Sequence, residues 1–225
     1  ISDTLPPEVE FVPGSGNAAI SGGTETAPLN FDSGTNTLSW SGELDAAALE
    51  LQPAGSPFGG FLDILSLGVT PIGCNTTCDE FFVDFNTPTF AYNGNTHSSV
   101  RVSTNGYLMP SSDFLDFSFI PQQLPDPAAP NNVIAPFWAD MDLDGTDPAD
   151  IGAGSLAAAT FNLTSGGQAF IVQWTGVEIF GEPGTAYTFQ IQIFDAASGV
   201  PGIWFVYASV PSVSSNVSVG VEGVN

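Results

Sequence analysis

The chain has 225 residues, 24 Asp and Glu against a single Lys or Arg, and a formal net charge of −23. One arginine, Arg101, cannot displace counterions from nucleic-acid phosphates, and an anionic membrane surface repels the chain for the same reason. The complementary partner is a cation, and Ca2+ best matches hard carboxylate oxygens.

The composition is acidic without being that of a disordered tail: 11% of residues are charged, 43% are hydrophobic and 18 are Phe. No apolar run approaches the ~18 residues of a membrane-spanning helix, so membrane insertion is not expected. The opening Ile1-Ser-Asp-Thr-Leu-Pro-Pro does not read as a signal peptide, which predicts a processed product or a fragment. Trypsin-like enzymes have one cut available, after Arg101, which suits life among proteases and equally fits a drift towards acidity in a saline habitat.

Gly and Pro are spread along the whole chain, and the apolar stretches are short and rich in β-branched and aromatic residues. That pattern predicts short strands separated by turns. Residues 1–34, rich in Gly, Pro and Thr, read as an extended N-terminal arm or packed extension, and residues 35–225 as the β-domain. Strands are expected at 37–43, 61–67, 80–85, 99–103, 133–138, 156–161, 169–174, 187–194, 203–208 and 217–222. Residues 44–51 are the one stretch with helix propensity. Asn93-Gly94, Asn105-Gly106 and Ser198-Gly199 read as tight turns, and 55–60 and 121–132 as loops.

The clearest strand is 187–194. Tyr187, Phe189, Ile191 and Ile193 fall on one face and Thr188, Gln190 and Gln192 on the other, so one face is expected to be buried and the other wet. Residues 217–222 repeat the alternation. The expected core is Phe137, Phe170, Val172, Trp174, Tyr187, Phe189, Ile191, Ile193 and Val219. The expected fold is an all-β sandwich of about a dozen mostly antiparallel strands.

Cys74 and Cys78 are spaced C-x3-C. Zinc needs more ligands than His97 can add, and redox motifs use C-x2-C. The favoured reading is a local disulfide closing the 73–79 turn, with free buried thiols as the alternative. A disulfide implies an oxidising compartment.

The sharpest local feature is Asp140-Met-Asp-Leu-Asp-Gly-Thr-Asp-Pro-Ala-Asp150. Asp140, Asp142 and Asp144 followed by Gly145 match the first half of a calcium loop, where alternate carboxylates converge on one ion and glycine permits the sharp turn. The second half departs from an EF-hand, since Ile151 stands where a bidentate glutamate belongs. Asp147 or Asp150 would have to substitute. The competing reading is a solvated acidic turn at a strand end.

Catalysis is not expected. A Ser-His-Asp site would have to use His97, which lies in polar text and reads as a hydrated surface residue. Glu178 and Glu182 are a conceivable glycosidase pair, but among so many acids some pair always looks paired. Trp40, Trp138, Trp174 and Trp204 sit in apolar strands and read as core. Sequons at Asn75, Asn162 and Asn216 matter only in a host that glycosylates.

Several segments together resemble a known module. These are Leu38-Ser-Trp-Ser-Gly42, the Cys74/Cys78 turn, Thr89-Phe-Ala-Tyr-Asn-Gly-Asn95, Asn105-Gly-Tyr-Leu108, Asn132-Val-Ile-Ala-Pro-Phe-Trp-Ala-Asp140, Phe170-Ile-Val-Gln-Trp174 and Thr188-Phe-Gln-Ile-Gln192. They resemble a β-rich module that lies C-terminal to the catalytic domain in secreted bacterial subtilisin-like proteases. The Ala-Pro-Phe-Trp-Ala-Asp segment is also similar, over a shorter span, to the extracellular nidogen-type domain of animal matrix proteins. The peptidase His and Ser motifs are absent. The resemblance implies a secreted accessory domain that binds extracellular protein or polysaccharide. The rival expectation is a subunit of an extracellular filament or surface layer, copies of which assemble by strand donation or cation bridging.

Overall fold

A computed structural model describes residues 2–4, 23–32, 37–44, 58–73, 78–110, 118–144, 153–199, 202–213 and 216–223. The chain divides into two compact units, Ile1–Pro53 and Ala54–Asn225. The protein is all-β: thirteen strands and a single 3-10 turn, with no α-helix, among the described residues.

In the first unit β1 (Ser2–Thr4), β2 (Gly23–Asp32) and β3 (Thr37–Leu44) form an antiparallel sheet in the order β1-β3-β2. β3 coincides with the strand expected at 37–43; β2 carried no alternation that singled it out. Residues 45–51 of the helix-prone stretch and the Trp40 side chain lie outside the described set.

The second unit is a sandwich of two five-stranded antiparallel sheets. One sheet contains β4 (Phe82–Tyr92), β5 (Asn95–Ser103), β6 (Leu108–Pro110), β7 (Ile134–Trp138) and β13 (Ser218–Val221), in the order β13-β7-β6-β5-β4. The other contains β8 (Met141–Asp142), β9 (Ser155–Asn162), β10 (Gln168–Ile179), β11 (Glu182–Phe194) and β12 (Ile203–Ser209). Its order is β12-β11-β10-β8, with β9 also pairing with β10. Asn93-Gly94 makes the β4–β5 turn with φ of 48° and 73°, the left-handed pair that a two-residue hairpin needs.

The main core lies between the sheets. Val100, Val102, Leu108, Ile134 and Phe137 from the first meet Phe170, Val172, Trp174, Tyr187, Phe189, Ile191 and Ile193 from the second. The Phe137 ring packs at a tilt against Tyr187 and Phe189, at centroid distances of 4.9 and 5.4 Å. The expected core is borne out with one exception. Val219 is 54% exposed, as is Val221, because the loop through Gln122 and Leu124 covers the alternate positions Ser218 and Gly220 of β13 instead. Val217 does pack on the core.

Two further expectations fail together. Residues 61–67 are not a strand but a turn-rich strap across the outer face of the second sheet. Leu65 N–H donates to the Asp63 carboxylate and Val69 N–H to Ile64 O, local bonds that compete with a strand ladder. Phe58, Leu62, Ile64, Leu65 and Val69 cover Ala157, Phe161 and Ile171.

In consequence the face expected to be wet is buried. Gln173, Gln190 and Gln192 are fully inaccessible. They form a ladder, Gln192 Nε2 to Gln190 Oε1 at 3.0 Å and Gln190 Nε2 to Gln173 Oε1 at 2.7 Å. The strap's own backbone completes it. Ile64 N–H donates to Gln173 Oε1 at 2.9 Å, Leu62 N–H to Gln190 Oε1 at 3.3 Å, and Gln190 and Gln192 donate back to Leu62 O and Gly60 O. Buried amides survive there because each finds a partner.

The loop 118–132 covers the outer face of the first sheet in the same way. Tyr107, Met109, Val133, Ala135 and Trp138 form a second buried cluster with Leu124 against it. Ser118 N–H donates to Tyr107 Oη, and Trp138 Nε1 donates to Ser118 O.

Candidate functional site: a cluster of three carboxylates

The Asn105-Gly106 turn organises the acidic region. Gly106 has φ 78°, and a Cβ there would lie 2.0 Å from the Phe137 carbonyl oxygen, so only glycine lets this turn approach β7 so closely. Three acceptors on the turn hold the chain running from β7 towards β8. Gly106 O takes Phe137 N–H at 3.3 Å, Asn105 O takes Ala139 N–H at 3.2 Å, and Asn105 Oδ1 takes Met141 N–H at 2.7 Å. Asn105 is fully buried.

On its other side the turn holds the segment after Cys78. Phe81 N–H donates to Thr104 Oγ1 at 3.1 Å and Thr104 N–H donates to Phe81 O at 3.0 Å. Asn105 Nδ2 reaches Glu80 Oε2 at 3.5 Å. Asp79 and Glu80 thereby meet Asp140, with one carboxylate oxygen from each lying within 4.8 Å of the others.

The electrostatics follow from that crowding. Burial, then Asp79 and Asp140, push the Glu80 carboxyl above its ordinary range, while the Asn105 hydrogen bond opposes the shift. Burial, then Asp79 and Asp142, push Asp140 up. Like charges held together favour protonation or a bound cation. Three carboxylates supply three to six of the six to eight oxygens that Ca2+ takes.

Of the residues picked out by the calcium-loop spacing, Asp140 enters this cluster. Asp142 sits on β8 opposite Glu178 of β10 and accepts Asp144 N–H at 2.9 Å. Met141 and Leu143 between them are buried. Asp147, Asp150 and Cys74 lie outside the described residues. Cys78 is half-buried against the main core, next to Asp79. Spacing could not have found Asp79 and Glu80, which lie far upstream; the one signal was two adjacent acids directly after a half-cystine candidate.

The remaining candidates have structural roles. Glu178 is 3% exposed and accepts Gly184 N–H at 2.9 Å, bracing the β10–β11 hairpin. His97 is not a hydrated surface residue: it is half-buried beside Phe90 and Tyr92, and Nε2 has no partner among the described residues. It packs there because β4 lays Phe90 directly across from it. Trp138 and Trp174 are core, and Trp174 Nε1 donates to Ser103 O and Thr104 O. Arg101 forms a two-pronged pair with Asp84, at 2.7 and 2.8 Å, on the outer strand pair β4–β5.

A family model described as NIDO related matches residues 75–224, two thirds of the chain. The match supports the nidogen-type resemblance and runs well beyond the motif that carried it. No curated protein and no solved structure matches the chain.

Proposed function

This chain belongs to the NIDO-related family, and we propose that it is a secreted, non-catalytic binding module whose acidic cluster is held by Ca2+. The family match supports an extracellular accessory role. The observation that carries the calcium reading is the convergence of Asp79, Glu80 and Asp140 in a protein whose single Arg is already engaged by Asp84. The cation would tie the segment after Cys78 to the turn before β8, so its effect is on stability and loop order.

Asp142 and Asp144, with Asp147 or Asp150, are the further candidate ligands. A Cys74–Cys78 bridge belongs to the same proposal, since it would hold the segment that presents Asp79 and Glu80. The module's partner is extracellular protein or polysaccharide, and attachment to an exported subtilisin-like protease is its expected context. The second reading, a filament or surface-layer subunit, is favoured by an uncharged sheet edge at β12.

The test is thermal unfolding with calcium and with excess chelator, alongside calorimetric titration of Ca2+. Wild-type protein should melt higher in calcium, and Asp140→Asn and Glu80→Gln should lose most of that gain. Equal melting temperatures in calcium and chelator, with no binding heat, would refute the calcium reading and leave the family assignment standing. Retention on insoluble protein or polysaccharide checks the binding role.

A further inference from the structure

A sheet edge presents a row of open backbone donors and acceptors, and folded proteins cover or blunt it. Three edges of the sandwich are treated so. β4 carries Pro88 and a register irregularity between Asn86 and Phe90. β9 is met by the strap, whose Ile72 N–H donates to Leu156 O at 2.8 Å. β13 is four residues long and shifted in register at Gly220.

Among the described residues β12 carries no proline and no covering strap, and its one register shift lies at its far end, at Ala208. Among the described residues it pairs with β11, and from Ile203 to Tyr207 that pairing is uninterrupted. The strand Ile203–Ser209 contains no Pro, no Gly and no charge. Residues 196–221 contain no Asp, Glu, Lys or Arg, in a chain of net charge −23. Ile203, Phe205 and Tyr207 carry the main core to this rim. Tyr207 Oη crosses to Pro136 O of β7 at 2.7 Å, so β12 stands on the same rim as β13, the neighbour of β7. The rim adds exposed Val210, Val213, Val219 and Val221.

We propose that β12 is a homodimer interface, pairing antiparallel with β12 of a second copy. Charge selects the occupant. A partner edge must approach a strongly acidic protein without placing acids opposite acids, which destabilises a sheet. β12 itself meets that requirement. A twofold axis near Phe205 sets Ile203 opposite Tyr207 of the second copy on the core face, and Trp204 opposite Val206 of the second copy on the other. The contact is isologous and closes as a dimer. Repulsion between the two bodies is then screened by salt, so dimerisation strengthens as ionic strength rises. The inference does not depend on the calcium reading.

The test is molar mass of the full chain by light scattering, over a concentration series in low and high salt, with calcium and with chelator. The expected mass is twice 23.3 kDa at high concentration, with the dimer fraction rising with salt in both calcium and chelator. Ala208→Pro falls at the register shift between the Thr188–Ser209 and Phe189–Tyr207 pairs, the one position of the strand with no register partner on β11, where an edge proline is best tolerated. It should return the particle to monomer mass with an unchanged melting temperature.

Hydrogen exchange of wild-type protein gives a readout that needs no variant. The β12 amides not bonded to β11 should exchange at least about tenfold more slowly in the dimer. A monomer under every condition overturns the proposal. So does a dimer whose β12 amides show no concentration dependence, and so do particles that chelator converts directly to monomers.

Discussion

Replacing Gln190 with Leu tests whether the buried glutamine ladder fastens the strap to the second sheet. Gln190 is fully buried and bonds four ways, to Leu62 N–H, Leu62 O, Gln173 and Gln192. After Gln190→Leu, Gln173 Oε1 keeps Ile64 N–H and Gln192 Nε2 keeps Gly60 O. The groups stranded are the N–H and C=O of Leu62. Each unsatisfied buried group costs about 1–3 kcal/mol, and Leu62 is half-buried, so the low end applies. The leucine itself recovers under ~1 kcal/mol of apolar burial. The net loss is about 1–2 kcal/mol, or roughly 2–8 °C in melting temperature for a chain of this size. Circular dichroism melts measure the loss, and hydrogen exchange should show faster exchange at Leu62 and Ile64 before the sheet opens. An unchanged or raised melting temperature with the strap still protected would refute the reasoning, and would mean that the apolar contacts of Ile64 hold the strap alone.

The carboxylate cluster predicts a pH dependence of definite sign. Glu80 and Asp140 have raised folded-state values, so the native state binds protons more tightly and metal-free protein gains stability as pH falls through those values. Glu80→Gln should flatten that gain and raise the metal-free melting temperature, as chelator melts between pH 7 and 4.5 would show. Asp84 has the opposite sign: its hydrogen bonds to Arg101, aided by the charge, lower it, so its contribution is present above the unfolded value and lost as pH falls through the folded one. That pair is partly exposed, and Arg101→Gln should cost under ~1 kcal/mol, a small shift in a urea midpoint. Asn105→Ala orphans Met141 N–H and should cost about 2 kcal/mol, while weakening any calcium response because the turn that aligns Asp140 is loosened. Gly106→Ala should be far worse, yielding little soluble protein on expression, since the added Cβ meets a backbone oxygen that cannot move away.

Much of the fold was legible in local pattern. Alternation at Tyr187–Phe194 and the apolar run at Phe170–Trp174 marked the two central strands, and their register in the structure, Phe170 with Ile193 and Trp174 with Phe189, places the same residues inward. Asn93-Gly94 marked its hairpin because positive φ at two successive positions restricts residue choice. The acidic excess and the D-x-D-x-D text pointed to a cation at Asp140, and the Ala-Pro-Phe-Trp-Ala-Asp segment pointed to the nidogen-type family.

What alternation cannot encode is what lies on the far side of a strand. It separates the Gln face from the Ile face, but whether Gln190 meets water or the backbone of Leu62 depends on a strap from over a hundred residues away. Asp79 and Glu80 reach Asp140 only because Asn105 bonds both segments, and Val219 stays exposed because the covering loop takes the Ser218 and Gly220 positions of its short strand. Local sequence determined the strands and their apolar faces, since φ/ψ preference and side-chain period act between neighbours. Tertiary structure decided the covered faces and the carboxylate cluster, since those are set by which distant backbone groups remain to be satisfied when the two sheets close.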